Sequence, residues 1–235
     1  MTSTATKTVT RTMTRIVTRS VEDYLKAIFA FSEERLATEA NTGDLAAALG
    51  VSPPAISKMI KQLQTQRLVT HTPYHGVRLT AQGRRIALRI VRRHRLLERY
   101  LVEALGYALD EVHEEAERLE HHVSDEFIRR IDAHLNHPHD CPHGSPIPTI
   151  DGHINHVHGQ PLSDAVADTP LHIKQLTTDD AEHLRFMQSH ALLPGALLRV
   201  VNREPFGGDL TIVLDDTTLN ISSRIAGKIL VAEPA

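Results

Sequence analysis

The 235-residue sequence has no Trp, a single cysteine and only 4% aromatic residues. One cysteine, Cys141, excludes an intramolecular disulfide and suits a reducing, cytoplasmic compartment. No apolar run approaches the roughly 18 residues that cross a membrane, and the N-terminus has charge without the apolar stretch of a secretory signal. The motifs of catalysis are also missing. There is no phosphate-cradling Gly-rich loop, no nucleophile elbow and no His-Glu-x-x-His pair. An enzyme is therefore not expected.

What is present is histidine, 16 residues of it, and an uneven charge. Residues 1–19 carry four basic and no acidic side chains, and residues 20–100 carry 13 basic and 7 acidic. Residues 101–165 reverse this with 3 basic and 13 acidic, and residues 166–235 carry 6 and 9. A basic first part followed by an acidic one suggests a polyanion-binding domain joined to a cation-binding one.

The acidic part contains the most telling stretch, His113-Glu114-Glu115-Ala116-Glu117-Arg118-Leu119-Glu120-His121-His122. Read as a helix capped by Asp110, it places His113, Glu117, Glu120 and His121 on one face. Two imidazoles and two carboxylates on one stripe call for a cation among them, and this mixture suits a divalent transition metal; the alternative is a solvated acidic helix with scattered His. His94 and Glu98, four residues apart inside an apolar helix, form a second pair of the same kind.

Periodicity and stop signals divide the chain. Residues 1–19, Thr-rich with Arg11, Arg15 and Arg19, read as a disordered basic tail, which either brushes DNA phosphates or has no function. Ser20 opens a helix to about Phe31 with Val21, Tyr24, Leu25, Ile28 and Phe29 inward. Thr42 caps a short helix from Gly43 to Leu49, stopped by Gly50, and Pro53-Pro54 open a third running to about Arg67. Strands near Leu68 to Thr72 and Gly76 to Leu79 flank the Pro73-Tyr74-His75-Gly76 turn. Together these form the winged helix-turn-helix pattern.

A long helix then runs from Thr80 to Leu105, followed by helices from Glu111 to Val123 and Asp125 to Leu135. Residues 136–167, rich in Pro, Gly and His, read as loop or linker. From about Pro170, short β-like runs (Leu197 to Val201, Leu210 to Leu214, Lys228 to Val231) surround one helix from Thr178 to His190, as in a small barrel. His137, His139, Cys141 and His143 have the residue types of a zinc site, and Arg92, Arg93, Arg95 and Arg99 form a basic row on the long helix. His153, His156 and His158 extend a solvated loop, and His71 and His75 fall on the wing.

The run Val21-Glu22-Asp23-Tyr24-Leu25-Lys26-Ala27-Ile28 resembles the first-helix signature of the diphtheria toxin repressor family. Arg93-His94-Arg95-Leu96-Leu97-Glu98, the segment Val112 to His122 and Cys141-Pro142-His143-Gly144-Ser145-Pro146-Ile147-Pro148 resemble it too. The likeness is specific over about 20–150 and extends weakly, through Leu192-Leu193-Pro194-Gly195, to the family's SH3-like domain.

The resemblance implies a mainly α protein with small β parts. Its divisions would be a tail (1–19), a winged helix-turn-helix DNA-binding domain (20–85), a helical dimerisation and metal-binding domain (86–150), a linker (151–169) and an SH3-like β-barrel (170–235). It also implies a homodimeric, metal-dependent transcriptional repressor that binds palindromic operators near metal-uptake genes. Ser52, Pro54, Ala55, Ser57 and Lys58 would face the DNA.

Matched by position, the family's primary metal site falls on Asp23, Glu117, Glu120 and His121. Where the iron-responsive branch holds Met and Cys, this chain has Asp23 and Glu117, as in the manganese-responsive branch, so hard oxygen ligands favour Mn(II) with Fe(II) as the alternative. Lys26 departs from the manganese regulators' second bridging Glu, which points the second of two ions to His94, Glu98 and His113, completed by Asp180 and His183. The resemblance also makes the Cys-Pro-His-Gly segment a packing motif instead of a zinc site. The rival reading, a metal-dependent hydrolase or metallochaperone, has no use for the basic winged helix.

Overall fold

A computed structural model describes residues 18–31, 40–72 and 75–234, which fall into two compact units, 1–80 and 81–235. The basic tail, apart from its last two residues, and the tip of the wing at 73–74 lie outside the described residues.

In the first unit, α1 (Arg19–Phe29) buries Val21, Tyr24, Leu25, Ile28 and Phe29, the single stripe expected of an amphipathic helix. Its N-cap is Thr18 instead of Ser20. The second helix, α2 (Thr42–Ala48), is capped by Asn41, whose side chain accepts from the Gly43 amide at 2.7 Å. Thr42, expected to be that cap, is already inside the helix, and the extended backbone a cap needs is found at Asn41 (φ −74, ψ 140). The third helix, α3 (Pro53–Thr65), starts on its two prolines and turns Ile56, Ile60 and Leu63 inward. The wing pairs β1 (Val69–Thr72) with β2 (Gly76–Leu79) in antiparallel register, Val69 opposite Leu79, and Ala40 adds a bridge to Val77.

The second unit opens with the 25-residue α4 (Ala81–Leu105), against which α5 (Val112–Leu119) and α6 (Asp125–His134) pack. Leu96, Leu97, Leu101, Val112, Ala116, Ile128, Ile131 and Ile147 form their common core. Asp110 does not cap α5: it lies two residues before the first helical residue, and its carboxylate accepts from Arg185 Nη1 at 2.9 Å. The helix also ends at Leu119, earlier than the expected Val123, so Glu120 is its C-cap and His121 and His122 form a turn.

A six-stranded antiparallel sheet follows in the order β3-β8-β4-β5-β6-β7: β3 (Gln160–Pro161), β4 (Leu171–Leu176), β5 (Leu197–Arg203), β6 (Leu210–Leu214), β7 (Thr217–Ile221) and β8 (Ile229–Ala232). The helices α7 (Ala181–Ser189) and α8 (Ser223–Ala226) accompany it. The sheet begins inside the segment read as a linker: β3 pairs with β8, and Leu162 beyond it is fully buried in the sheet's core. Leu109, from the turn between α4 and α5, is buried in the same core. Loop and sheet also meet at Gly144 (φ +83), where a Cβ would lie 2.1 Å from the Lys174 carbonyl oxygen. Only glycine fits there. Among the described residues, no helix is long and apolar enough to cross a membrane.

Candidate metal centre

The α4 helix carries His94 and Glu98 one turn apart, and both are buried, at 5% and 3% exposure. Buried ionisable groups persist only with partners. His94 Nδ1 lies 2.6 Å from Glu120 Oε2, while its Nε2 lies 3.0 Å from Glu98 Oε1 and 3.1 Å from His113 Nδ1. The two imidazoles meet edge to face with ring centroids 4.8 Å apart.

Glu98 is the centre of a larger gathering. His113 Nδ1 approaches its Oε1 at 3.4 Å and His143 Nδ1 at 3.6 Å. Burial alone would raise the Glu98 pKa. The charge of His94 and hydrogen bonds from His113, His143 and His94 outweigh it and hold the carboxyl well below its usual range. His143 shows the counterpart: burial opposes its charge, but Cys141 and Glu98 push its pKa up to about 11. Cys141 Sγ stands 4.0 Å from His143 Nδ1. Three imidazoles thus converge on one buried carboxylate, a concentration of donors that protons or a metal ion can neutralise in competition.

Within the second unit, three sets of donor atoms each lie within 4.8 Å of one another: His94, His113 and Glu117; Glu98, Cys141 and His143; and Glu117, Glu120 and His121. The third offers two carboxylates and one imidazole, a hard set that fits Mn(II) or Fe(II); the second adds a softer thiol. Glu120 is completely buried and its Oε1 is 3.3 Å from His121 Nε2. Glu117 is half-buried and belongs to two of the sets. Asp23, predicted to join them, stands half-buried on α1 of the first unit, three residues from Lys26.

The structure departs from expectation at the second site. Asp180 is the N-cap of α7: its carboxylate accepts from the His183 amide at 3.0 Å, and this bond holds its pKa below the usual value. His183 Nδ1 pairs with the Thr178 hydroxyl at 3.4 Å. Neither belongs to any donor set gathered among the described residues; Cys141 and His143 stand beside Glu98 instead. The four-residue zinc cluster is not assembled either, because His137 pairs with Asp132 at 2.9 Å and His139 is exposed. The usable signal was the Cys-x-His spacing taken together with Glu98, which no local periodicity links.

Two members of the basic row on α4 are structural. Arg92 and Arg95 donate to the carbonyls of Pro148 and Pro146, both at 2.6 Å, and so clip the 141–148 segment to the helix. In the first unit Ser52, Pro54, Ala55, Ser57 and Lys58 are all exposed along the start of α3, with the Ser57 hydroxyl donating back to the Pro53 carbonyl at 3.0 Å. His71 is half-buried and His75 exposed on the wing.

Residues 17–77 match the family model for the iron dependent repressor N-terminal DNA binding domain, and residues 80–149 the one for its metal binding and dimerisation domain. Residues 160–233 match the FeoA domain. The chain is 30% identical over 207 residues to the iron-dependent repressor IdeR of Mycobacterium tuberculosis, covering 83% of this chain and 88% of that one. It is 37% identical over 112 residues to the HTH-type transcriptional regulator MntR of Geobacillus kaustophilus, covering 48% and 77%. A solved manganese-dependent transcriptional repressor in complex with manganese is 38% identical and superimposes with a TM-score of 0.83 over 91% of this chain and all of the other.

Proposed function

The chain belongs to the iron-dependent repressor family of metal-dependent DNA-binding repressors, which are not enzymes, and from that premise we propose that it represses transcription in response to Mn(II). The observation that carries the choice of metal is the oxygen-rich set Glu117, Glu120 and His121. Carboxylates are hard ligands and suit Mn(II) better than thiolate or thioether would. Asp23 supplies the fourth ligand from α1. Holding one ion with donors from both units favours the single arrangement in which all four are available, and that arrangement is the DNA-competent one.

A second ion is held by the donors around Glu98. His94 and His113 approach its Oε1 at 3.0 and 3.4 Å, and Cys141 and His143 form a donor set with it. The thiol there supports the Fe(II) alternative.

The helical part dimerises, and the two α3 helices read adjacent major grooves of a palindromic operator about 34 Å apart. Ser57 and Lys58 provide the polar contacts, and the small exposed side chains of Pro54 and Ala55 leave specificity to close apolar contact and DNA shape.

The test is operator binding under anaerobic Mn(II), Fe(II), Co(II) and Zn(II), on the wild-type chain and on Asp23→Met with Glu117→Cys. The wild type answers best to Mn(II), and the double variant shifts toward Fe(II) or Co(II). A double variant that still prefers Mn(II) would overturn the hard-ligand argument. A chain that shifts no DNA with any metal would overturn the regulatory one.

A further inference from the structure

A cleft of about 320 Å³ lies between α4, α6 and residues 149–152, apart from the metal donors. Its wall carries five guanidiniums, those of Arg85, Arg89, Arg92, Arg93 and Arg129. Three carboxylates, Asp125, Asp132 and Asp151, line it as well, and Arg129 is paired with Glu126, so cations outnumber anions by one.

Two of the guanidiniums are held in place from within the fold. Arg92 is paired with Asp132 at 2.8 Å and Arg93 with Asp125 at 2.6 Å, and their side chains are only 16% and 11% exposed. Arg93 Nε is buried with no hydrogen-bond partner among the described residues. A buried charged donor left unsatisfied is costly, so the Arg93 guanidinium keeps hydrogen-bonding capacity that the fold does not use. Arg85 is exposed and makes no ion pair among the described residues, so its fork is available to a ligand. Leu88 and Ile128 give the cleft an apolar floor, and Ile150, 81% exposed, stands at its rim.

Rigid guanidinium forks match the oxygens of a phosphate in pairs, which a point charge such as Lys does not. The volume is at the small end of ligand pockets. We propose that this cleft binds a phosphate dianion, free or as the head of a small organic phosphate, with Arg85 and Arg93 as its principal donors. Arg92 gives the site a route to the metal centre. The same guanidinium that lines the cleft holds the Pro148 carbonyl, and the clipped segment bears Cys141 and His143. An occupied cleft therefore stiffens the loop that supplies two donors to Glu98.

The test is calorimetric titration of the full chain in the presence of a chelator, so that no metal ion can hold the anion. The probes are inorganic phosphate, adenosine monophosphate and uncharged adenosine. One saturable phosphate site per protomer is expected, weakened at least about tenfold by Arg85→Ala and by Arg93→Gln, with adenosine silent. Adenosine monophosphate binding more tightly than phosphate would assign the apolar floor to an organic body; equal affinities would assign the site to inorganic phosphate. Arg85 is on the surface, so its variant tests the site even if Arg93→Gln folds poorly. No saturable binding by about 10 mM, or affinities that Arg85→Ala leaves unchanged, would overturn the proposal.

Discussion

His94 Nδ1 and Glu120 Oε2 lie 2.6 Å apart in the buried centre of the helical layer. Glu120 belongs to the oxygen-rich donor set and His94 to the set with His113 and Glu117, so one hydrogen bond orients ligands of both sets. Such partners fix the tautomer and direction of a ligating imidazole, and their loss typically costs roughly 10–100-fold in metal affinity. Glu120→Gln keeps the shape but weakens the pairing. It is expected to lower Mn(II) affinity at both sets, measured by calorimetry. Weakening at the Glu117, Glu120 and His121 set alone would mean that His94 is oriented without it.

The second site makes opposite predictions for two pairs of residues. Cys141→Ser with His143→Gln removes donors beside Glu98 and is expected to reduce metal stoichiometry by about one per protomer. Asp180→Ala with His183→Ala removes a helix cap and is expected to lower the melting temperature slightly while stoichiometry stays unchanged. Ion counting by mass spectrometry under native conditions distinguishes the two.

Lys58 is exposed near the start of α3. Lys58→Ala should weaken operator binding without altering metal affinity. If its partner is a phosphate, the slope of log affinity against log salt falls by about one, and the loss is similar on unrelated sequences. Gel shifts across a salt series measure both.

The ion pairs of Asp125 give stability a defined pH dependence. Hydrogen bonds from Arg89 and Arg93 hold its pKa at about 2, below its ordinary value. A carboxyl with a depressed folded-state pKa stabilises the fold fully above its unfolded value, near 3.9, and loses that contribution as pH falls through its folded value. Since the Asp125 side chain is 65% exposed, the contribution is screened and small. The wild type is expected to exceed Asp125→Asn in melting temperature at neutral pH, and the gap should close toward pH 2 and in high salt.

Gly144 holds the loop against the sheet, and Gly144→Ala meets both a left-handed backbone and the Lys174 carbonyl. Loss of stability is expected, together with weaker metal retention at Cys141 and His143. Chemical denaturation of the metal-free and metal-loaded variant checks this.

Much of the fold was legible in local pattern. The apolar stripe of α1, the prolines opening α3, the wing strands and the long α4 are set by periodicity and stop signals within a few residues. The caps were read less well. Asn41 replaced Thr42 and Asp110 paired with Arg185, because a cap is defined by one residue's backbone angles and not by its type alone. The start of the sheet at Gln160 was hidden because a two-residue strand has no period to detect.

The sequence by itself determined which donors share a helical face: His94 with Glu98, and His113 with Glu117, since residues one turn apart are neighbours in any helix. It also determined the oxygen-rich chemistry of Glu117 and Glu120. Only the tertiary structure decided what stands opposite those faces. It brought Glu120 to His94, set Cys141 and His143 beside Glu98, and left Asp180 and His183 at the start of α7. It also turned the arginine row of α4 into clips and the wall of a cleft. Contacts between residues distant in sequence depend on how helices pack and where loops are tied down, and no local spacing encodes either.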